Sequence, residues 1–207
     1  NGYRPGPAGS MYSEAFVTRY RTAQKARVER LDRIARDSIA ERMAARKRSK
    51  DGGSRADRVM GVFSPAMTVW RTDADLRCWD LSIDPSDRPI GSVWGKDPLR
   101  SNYGIVGFAR FCTPESWLST WSGLSSQANL FRSAGAIQQP CLMIEYTADP
   151  ILFPAVACSI FKAIGTSQKR LERFRGNHHG MALVEGEPPA RESVGKAIRA
   201  WIAAHGF

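Results

Sequence analysis

The chain has no run of eighteen apolar residues, so no segment of it is expected to cross a bilayer as a helix. Its opening, Asn1-Gly-Tyr-Arg-Pro-Gly-Pro7, has neither the charged start nor the apolar middle of a secretory signal. An initiator methionine is also absent, and the chain is expected to begin partway through a gene product. No Cys-x-x-Cys spacing joins the cysteines at 78, 112, 141 and 158. All four read as reduced and structural, small hydrophobes suited to a cytoplasmic location. Internal repeats and low-complexity tracts are lacking, which excludes a repeat architecture.

What is present suffices for a folded core: 207 residues, 43% of them apolar. The net charge of +10 invites a nucleic-acid reading. Twelve basic residues against four acidic ones lie between Arg19 and Lys50, however, so eight of the ten excess charges sit on one segment. No aromatic interleaving or nucleic-acid motif accompanies them. They are expected to form a solvated face, and neither nucleic acid nor membrane is an expected partner.

Residues 1–12 read as a loop. A helix is expected from Ser13 to about Arg48, with Val17, Tyr20, Val28, Leu31, Ala35, Ile39 and Met43 as an apolar stripe. Asp51-Gly-Gly-Ser54 breaks it, and the apolar, β-branched run from Val59 to Trp70 predicts a strand. Arg71 to Lys96 is rich in turn residues, but four tryptophans between Trp79 and Trp121 argue for an ordered cap or excursion. Thr113-Pro-Glu115 predicts a helix start. Trp117, Trp121 and Leu124 follow at helical spacing, either packing that helix onto a sheet or, for Trp117 and Trp121, walling a substrate pocket. The expected segments are 1–58, a loop and basic helix acting as a lid; 59–135, a Trp-rich excursion; and 136–207, a C-terminal core.

The last segment carries the chemistry. Leu142-Met-Ile144 is an apolar run of the kind found in a buried parallel strand, and Asp149-Pro150 turns the chain at its end. Pro154 to Ile164 reads as a helix. A second, more polar strand runs from Lys169 to Arg175 and meets Gly176-Asn-His-His179; a helix from Pro189 to His205 closes the chain. Strand, acid, helix, strand, histidine, helix brings an acid and a base to one sheet edge, where ligands collect in parallel sheets. Asp149 before Pro150 could instead be a plain turn residue, and His205 is expected as an exposed surface residue. Adjacent histidines on a loop do not readily share an ion, so no metal is expected, and no cofactor.

Pro140-Cys-Leu-Met-Ile-Glu-Tyr-Thr-Ala-Asp149, Gly176-Asn-His-His179 and Val194-Gly-Lys-Ala-Ile-Arg-Ala-Trp201 resemble the last strands, acid, Gly-x-x-His and final helix of α/β-hydrolases. The resemblance extends upstream less specifically, through Trp70-Arg-Thr-Asp-Ala-Asp75 and Phe111-Cys-Thr-Pro-Glu-Ser-Trp117, to bacterial members of unassigned substrate. It implies an α/β fold, the C-terminal half of an α/β-hydrolase with a helical cap. It also implies that His179 is the general base and Asp149 its orienting acid, with His178 pointing elsewhere and holding the loop. No Gly-x-Ser-x-Gly occurs, so nucleophile and oxyanion hole are expected on a partner polypeptide, a cleavage product or a separate subunit. The implied function is hydrolysis of an ester-like bond (ester, thioester, lactone or amide) in a small-molecule substrate. A non-catalytic relative that uses the cleft for binding, and a basic nucleic-acid module, are the competing readings.

Overall fold

The computed structural model describes residues 2–70, 74–104 and 111–206. Of the residues quoted for the upstream resemblance, Arg71, Thr72 and Asp73 lie outside the described residues. The elements begin with α1 (Glu14–Lys50), α2 (Arg55–Val62), β1 (Met67–Thr68), α3 (Pro98–Tyr103), β2 (Phe111–Cys112) and α4 (Pro114–Ser116). They continue with α5 (Leu130–Ser133), β3 (Cys141–Ala148), α6 (Pro154–Ala163), β4 (Lys169–Asn177) and α7 (Ala190–His205). The described residues are thus mixed α/β, about 48% of them helical and 12% strand. No described helix is long and apolar enough to cross a membrane.

Two compact units form, one from residues 1–13, 74–101 and 129–207, the other from 14–73 and 102–128. They cut across the three expected segments: the excursion 59–135 is divided between them, and 74–101 belongs with the C-terminal strands. The reason is a set of polar and aromatic contacts from 75–88 to the end of β3 and the start of α6, described below.

In the helical unit, α1 runs unbroken because its 37 residues contain no proline or glycine and are dominated by Ala, Arg, Lys and Glu. Val28, Leu31 and Ala35 of its stripe meet Met67, Val69, Cys112 and Trp117 in one apolar cluster. Met43, at the far end of that stripe, is exposed. The chain reverses at Gly52, whose φ of +89° favours glycine, and the Gly53 N–H donates to the Arg48 carbonyl at 2.8 Å. The strand expected from Val59 is instead α2 as far as Val62. Ser54 and Asp57 form a capping box, two reciprocal hydrogen bonds that satisfy the first free N–H groups and start a helix there. Of the expected strand only Met67–Thr68 pairs in a sheet, antiparallel to Phe111–Cys112.

In the other unit, β3 and β4 run parallel, from Cys141 opposite Lys169 to Tyr146 opposite Phe174, with α6 as the crossover. Ala148 then pairs with Asn177, so β3 advances two residues while β4 advances three. Leu142, Met143 and Ile144, an apolar run of the kind found in a buried strand, are half-buried, because β3 has a strand neighbour on one side only among the described residues. Buried Glu145 is paired across the ladder with Arg173 at 3.0 Å. α7 crosses β4 at Gly176, where an added Cβ would stand 2.7 Å from that of Ala190.

Candidate active site

Asp149 and the histidine pair meet at the C-terminal ends of the two parallel strands. β3 stops at Ala148, and the Asp149 side chain then folds back on its own turn. Its Oδ1 accepts the backbone N–H of Ile151 at 2.7 Å and that of Leu152 at 3.3 Å. The turn reading of Asp149 therefore describes one of its two oxygens. The other, Oδ2, lies 3.0 Å from Nδ1 of His178.

The histidine that meets the acid is thus His178, one residue before the one expected. His179 is not brought to Asp149. Its ring lies edge-on to that of His178, centroids 5.0 Å apart and planes at 70°, and its backbone N–H donates to Asn177 Oδ1 at 2.9 Å. The Gly-x-x-His spacing counts residues as though the strand ended at Gly176, whereas the ladder continues to Asn177. Asn177 shapes the loop: Oδ1 also accepts the Met181 N–H at 3.1 Å, and its carbonyl takes the Gly180 N–H at 2.8 Å. Gly180 has φ +69°, and a Cβ there would meet the Tyr146 hydroxyl at 2.6 Å. Sequence reasoning passed over Asn177, although an Asn three residues before a Gly is a turn signal.

The electrostatic logic of the pair follows from its contacts. A carboxylate only accepts, so the shared hydrogen sits on Nδ1 of His178, and in the neutral ring Nε2 is then the atom that carries the lone pair. Asp149 is mostly covered, its side chain 12% exposed, while that of His178 is 41% exposed. The acid is fixed and the imidazole is accessible. Among the described residues no hydroxyl or thiol is hydrogen-bonded to His178.

The two tryptophans expected at a pocket belong to the helical unit. Trp117 is 2% exposed and lies in the apolar cluster, its indole N–H donating to buried Asp32 at 2.8 Å. With its ring enclosed and its N–H occupied, it offers a ligand nothing. The helix expected to reach Leu124 is one α-turn followed by a wide turn, Trp117–Trp121, which brings Ser122 to the same Asp32 at 3.0 Å. Ser125 donates to that carboxylate as well. Burial would push the Asp32 carboxyl up, but hydrogen bonds from Ser125, Ser122 and Trp117 hold it below the usual carboxylate value. Trp121 is 39% exposed.

His205, expected on the surface, is half-buried, with Nδ1 at 2.9 Å from the Trp201 carbonyl and its ring 3.9 Å from that of Trp201. All four cysteines are free thiols, and burial pushes that of Cys78 up to about 11, the state of an unreactive thiol. A cavity of about 420 Å³ lined by Gly6, Pro7, Leu81, Pro89, Ile90 and Lys96 includes neither Asp149 nor His178. No family model, no curated protein and no solved structure matches the chain.

Proposed function

We infer that this chain supplies the acid and base of a hydrolase that cleaves ester-like bonds through an acyl-enzyme, and that a partner polypeptide supplies the nucleophile and oxyanion hole. The observation that carries this reading is the Asp149 Oδ2 to His178 Nδ1 contact at the ends of two parallel strands. It places a covered acid behind an accessible imidazole, in the element order of the C-terminal half of an α/β-hydrolase. His178 takes the base role in this reading. Its Nε2 accepts the nucleophile's proton and returns it to the leaving group, while Asp149 fixes the tautomer and stabilises the imidazolium.

The half-buried apolar run Leu142–Ile144 supports further strands beyond β3, since parallel strands are stable when both faces and both neighbours cover them. A small molecule would be the substrate. A fluorophosphonate probe tests this in the intact protein. The expected result is one covalent adduct on a serine outside residues 1–207, abolished in His178→Ala and retained in His179→Ala. No adduct, together with no turnover across esters, thioesters, lactones and amides, overturns the reading.

A further inference from the structure

The residues that hold Asp149 and His178 in register come from a part of the chain far from both in sequence. Segment 84–88, Asp-Pro-Ser-Asp-Arg, lies against the acid loop and touches it on both sides. Before the loop, the Asp87 N–H donates to the Thr147 carbonyl at 3.0 Å, and Asp87 Oδ2 accepts the Thr147 hydroxyl at 2.5 Å. Behind it, both oxygens of Asp84 accept the Ala155 N–H in the first turn of α6, at 3.2 and 3.0 Å. Asp149 sits between these two anchor points.

The segment itself is immobilised by Arg88, which is 2% exposed. The Arg88 guanidinium donates to the carbonyls of Ile83 at 2.8 Å and Arg77 at 3.1 Å, to the Ser86 hydroxyl at 2.8 Å, and to the Asp84 carbonyl. Arg77 stacks 3.9 Å above the Phe153 ring, in the same loop as Asp149, and pairs with Asp84 at 3.3 Å. A buried guanidinium satisfied by carbonyls makes a rigid platform, since each broken bond would leave a charged group unsolvated.

Asp87 reaches the second strand too. Arg175 Nη1 lies 3.3 Å from the same Oδ2. Thr147 and Arg175 both fall inside the irregular step, where Tyr146 opposite Phe174 gives way to Ala148 opposite Asn177. That step contains one extra residue on β4. Without it the count would place Asn177 opposite Asp149; with it, His178 arrives there.

We propose that Asp87 is a positioning residue: by bridging Thr147 and Arg175 across the extra residue of β4, it sets the register that delivers His178 to Asp149. The proposal deepens the hydrolase reading and rests on it for its catalytic consequence. Asp87 is exposed, so its ion pair with Arg175 adds little stability; its effect lies in geometry.

The test uses the intact protein labelled with 15N-histidine. In Asp87→Ala the ring 15N shifts of His178 should move away from the pure Nδ1–H pattern, and its titration midpoint should shift. The kcat should fall about ten- to a hundredfold with KM within about twofold, the signature of a misaligned rather than a lost binding site. Thr147→Val and Arg175→Gln each remove one contact of Asp87 and should move the same shifts by less. Should Asp87→Ala fail to fold, those two variants decide the question. Unchanged His178 shifts and titration in folded Asp87→Ala, or in both single-contact variants, overturn the proposal. A wild-type protein without hydrolytic activity would overturn the hydrolase reading alone, because the ring shifts still report whether Asp87 controls His178.

Discussion

Asp32 in the helical unit and Asp149 in the other are each met by several hydrogen-bond donors, and the two are built for different ends. Asp32, in the helical unit, accepts from Trp117, Ser122 and Ser125, all hydroxyl or indole donors that keep their protons over the accessible pH range. It is saturated and buried, and it ties α1 to the wide turn after α4. Asp149 gives one oxygen to backbone N–H groups and the other to a histidine, a donor that can change protonation state near neutral pH. The first arrangement can only hold structure. The second holds structure with one oxygen and offers the other to the proposed chemistry, so in this reading the nature of the donors, more than their number, separates scaffold from site.

The most severe break in that comparison comes from the imidazoles. His178→Ala should lower kcat by roughly four to six orders of magnitude, as loss of a triad histidine does. His179→Ala should cost far less, since its ring touches His178 and not the acid. Steady-state turnover of both variants on the same substrate checks this, and equal losses would mean that the two rings act as one unit.

Asp149→Asn comes next. Oδ1 is pinned by the Ile151 and Leu152 N–H groups, so the amide oxygen will occupy that side and the NH2 will face His178. Nδ1 must then accept, the proton moves to Nε2, and the base is present in the wrong tautomer. Turnover should fall by roughly two to four orders of magnitude while the thermal midpoint stays within a few degrees. Near-normal turnover would return Asp149 to a pure turn role.

Asp32→Ala should act on stability instead. It leaves three donors without their acceptor, two of them on buried residues, and should cost roughly 1–3 kcal/mol in a denaturant titration, with no tautomer change at His178. Because the Asp32 carboxyl is held below its ordinary value, its stabilisation is present above the unfolded-state value and is lost as pH falls through the folded-state value. The wild-type and Asp32→Ala stabilities should therefore converge in acid; a gap that widens on acidification would contradict the assigned contacts. The smallest effect concerns the basic helix that carries Asp32. Read as scaffold with a solvated face, the protein should bind a nonspecific duplex no tighter than about 10 µM at physiological salt, measured by fluorescence anisotropy.

The C-terminal elements were legible because their signals are local. An apolar run, an Asp-Pro step, a proline-started helix and a closing amphipathic segment place β3, α6, β4 and α7 within a residue or two. The choice between His178 and His179 was not legible. It depends on the extra residue of β4 at Arg175–Gly176, and that step is held partly by Asp87, about ninety residues earlier, a contact no periodicity reveals. Trp117 misled for a related reason: an aromatic at helical spacing reads alike for a pocket wall and a core, and its partner Asp32 lies 85 positions away. The strand expected at Val59 gave way to α2 because the Ser54–Asp57 capping box outweighs a short β-branched run. That signal was present in the sequence and went unread.

The proposed function depends on Asp149 holding His178 as a base with its proton on Nδ1. Long-range 1H–15N correlation spectra of the histidine rings in the intact protein, recorded at a pH where the rings are neutral, report that tautomer. The expected spectrum shows a protonated Nδ1 and an unprotonated Nε2 on His178, reversed in Asp149→Asn, with His179 unchanged between the two proteins. A His178 ring protonated on Nε2 in the wild type, or a tautomer that ignores the substitution, would contradict it.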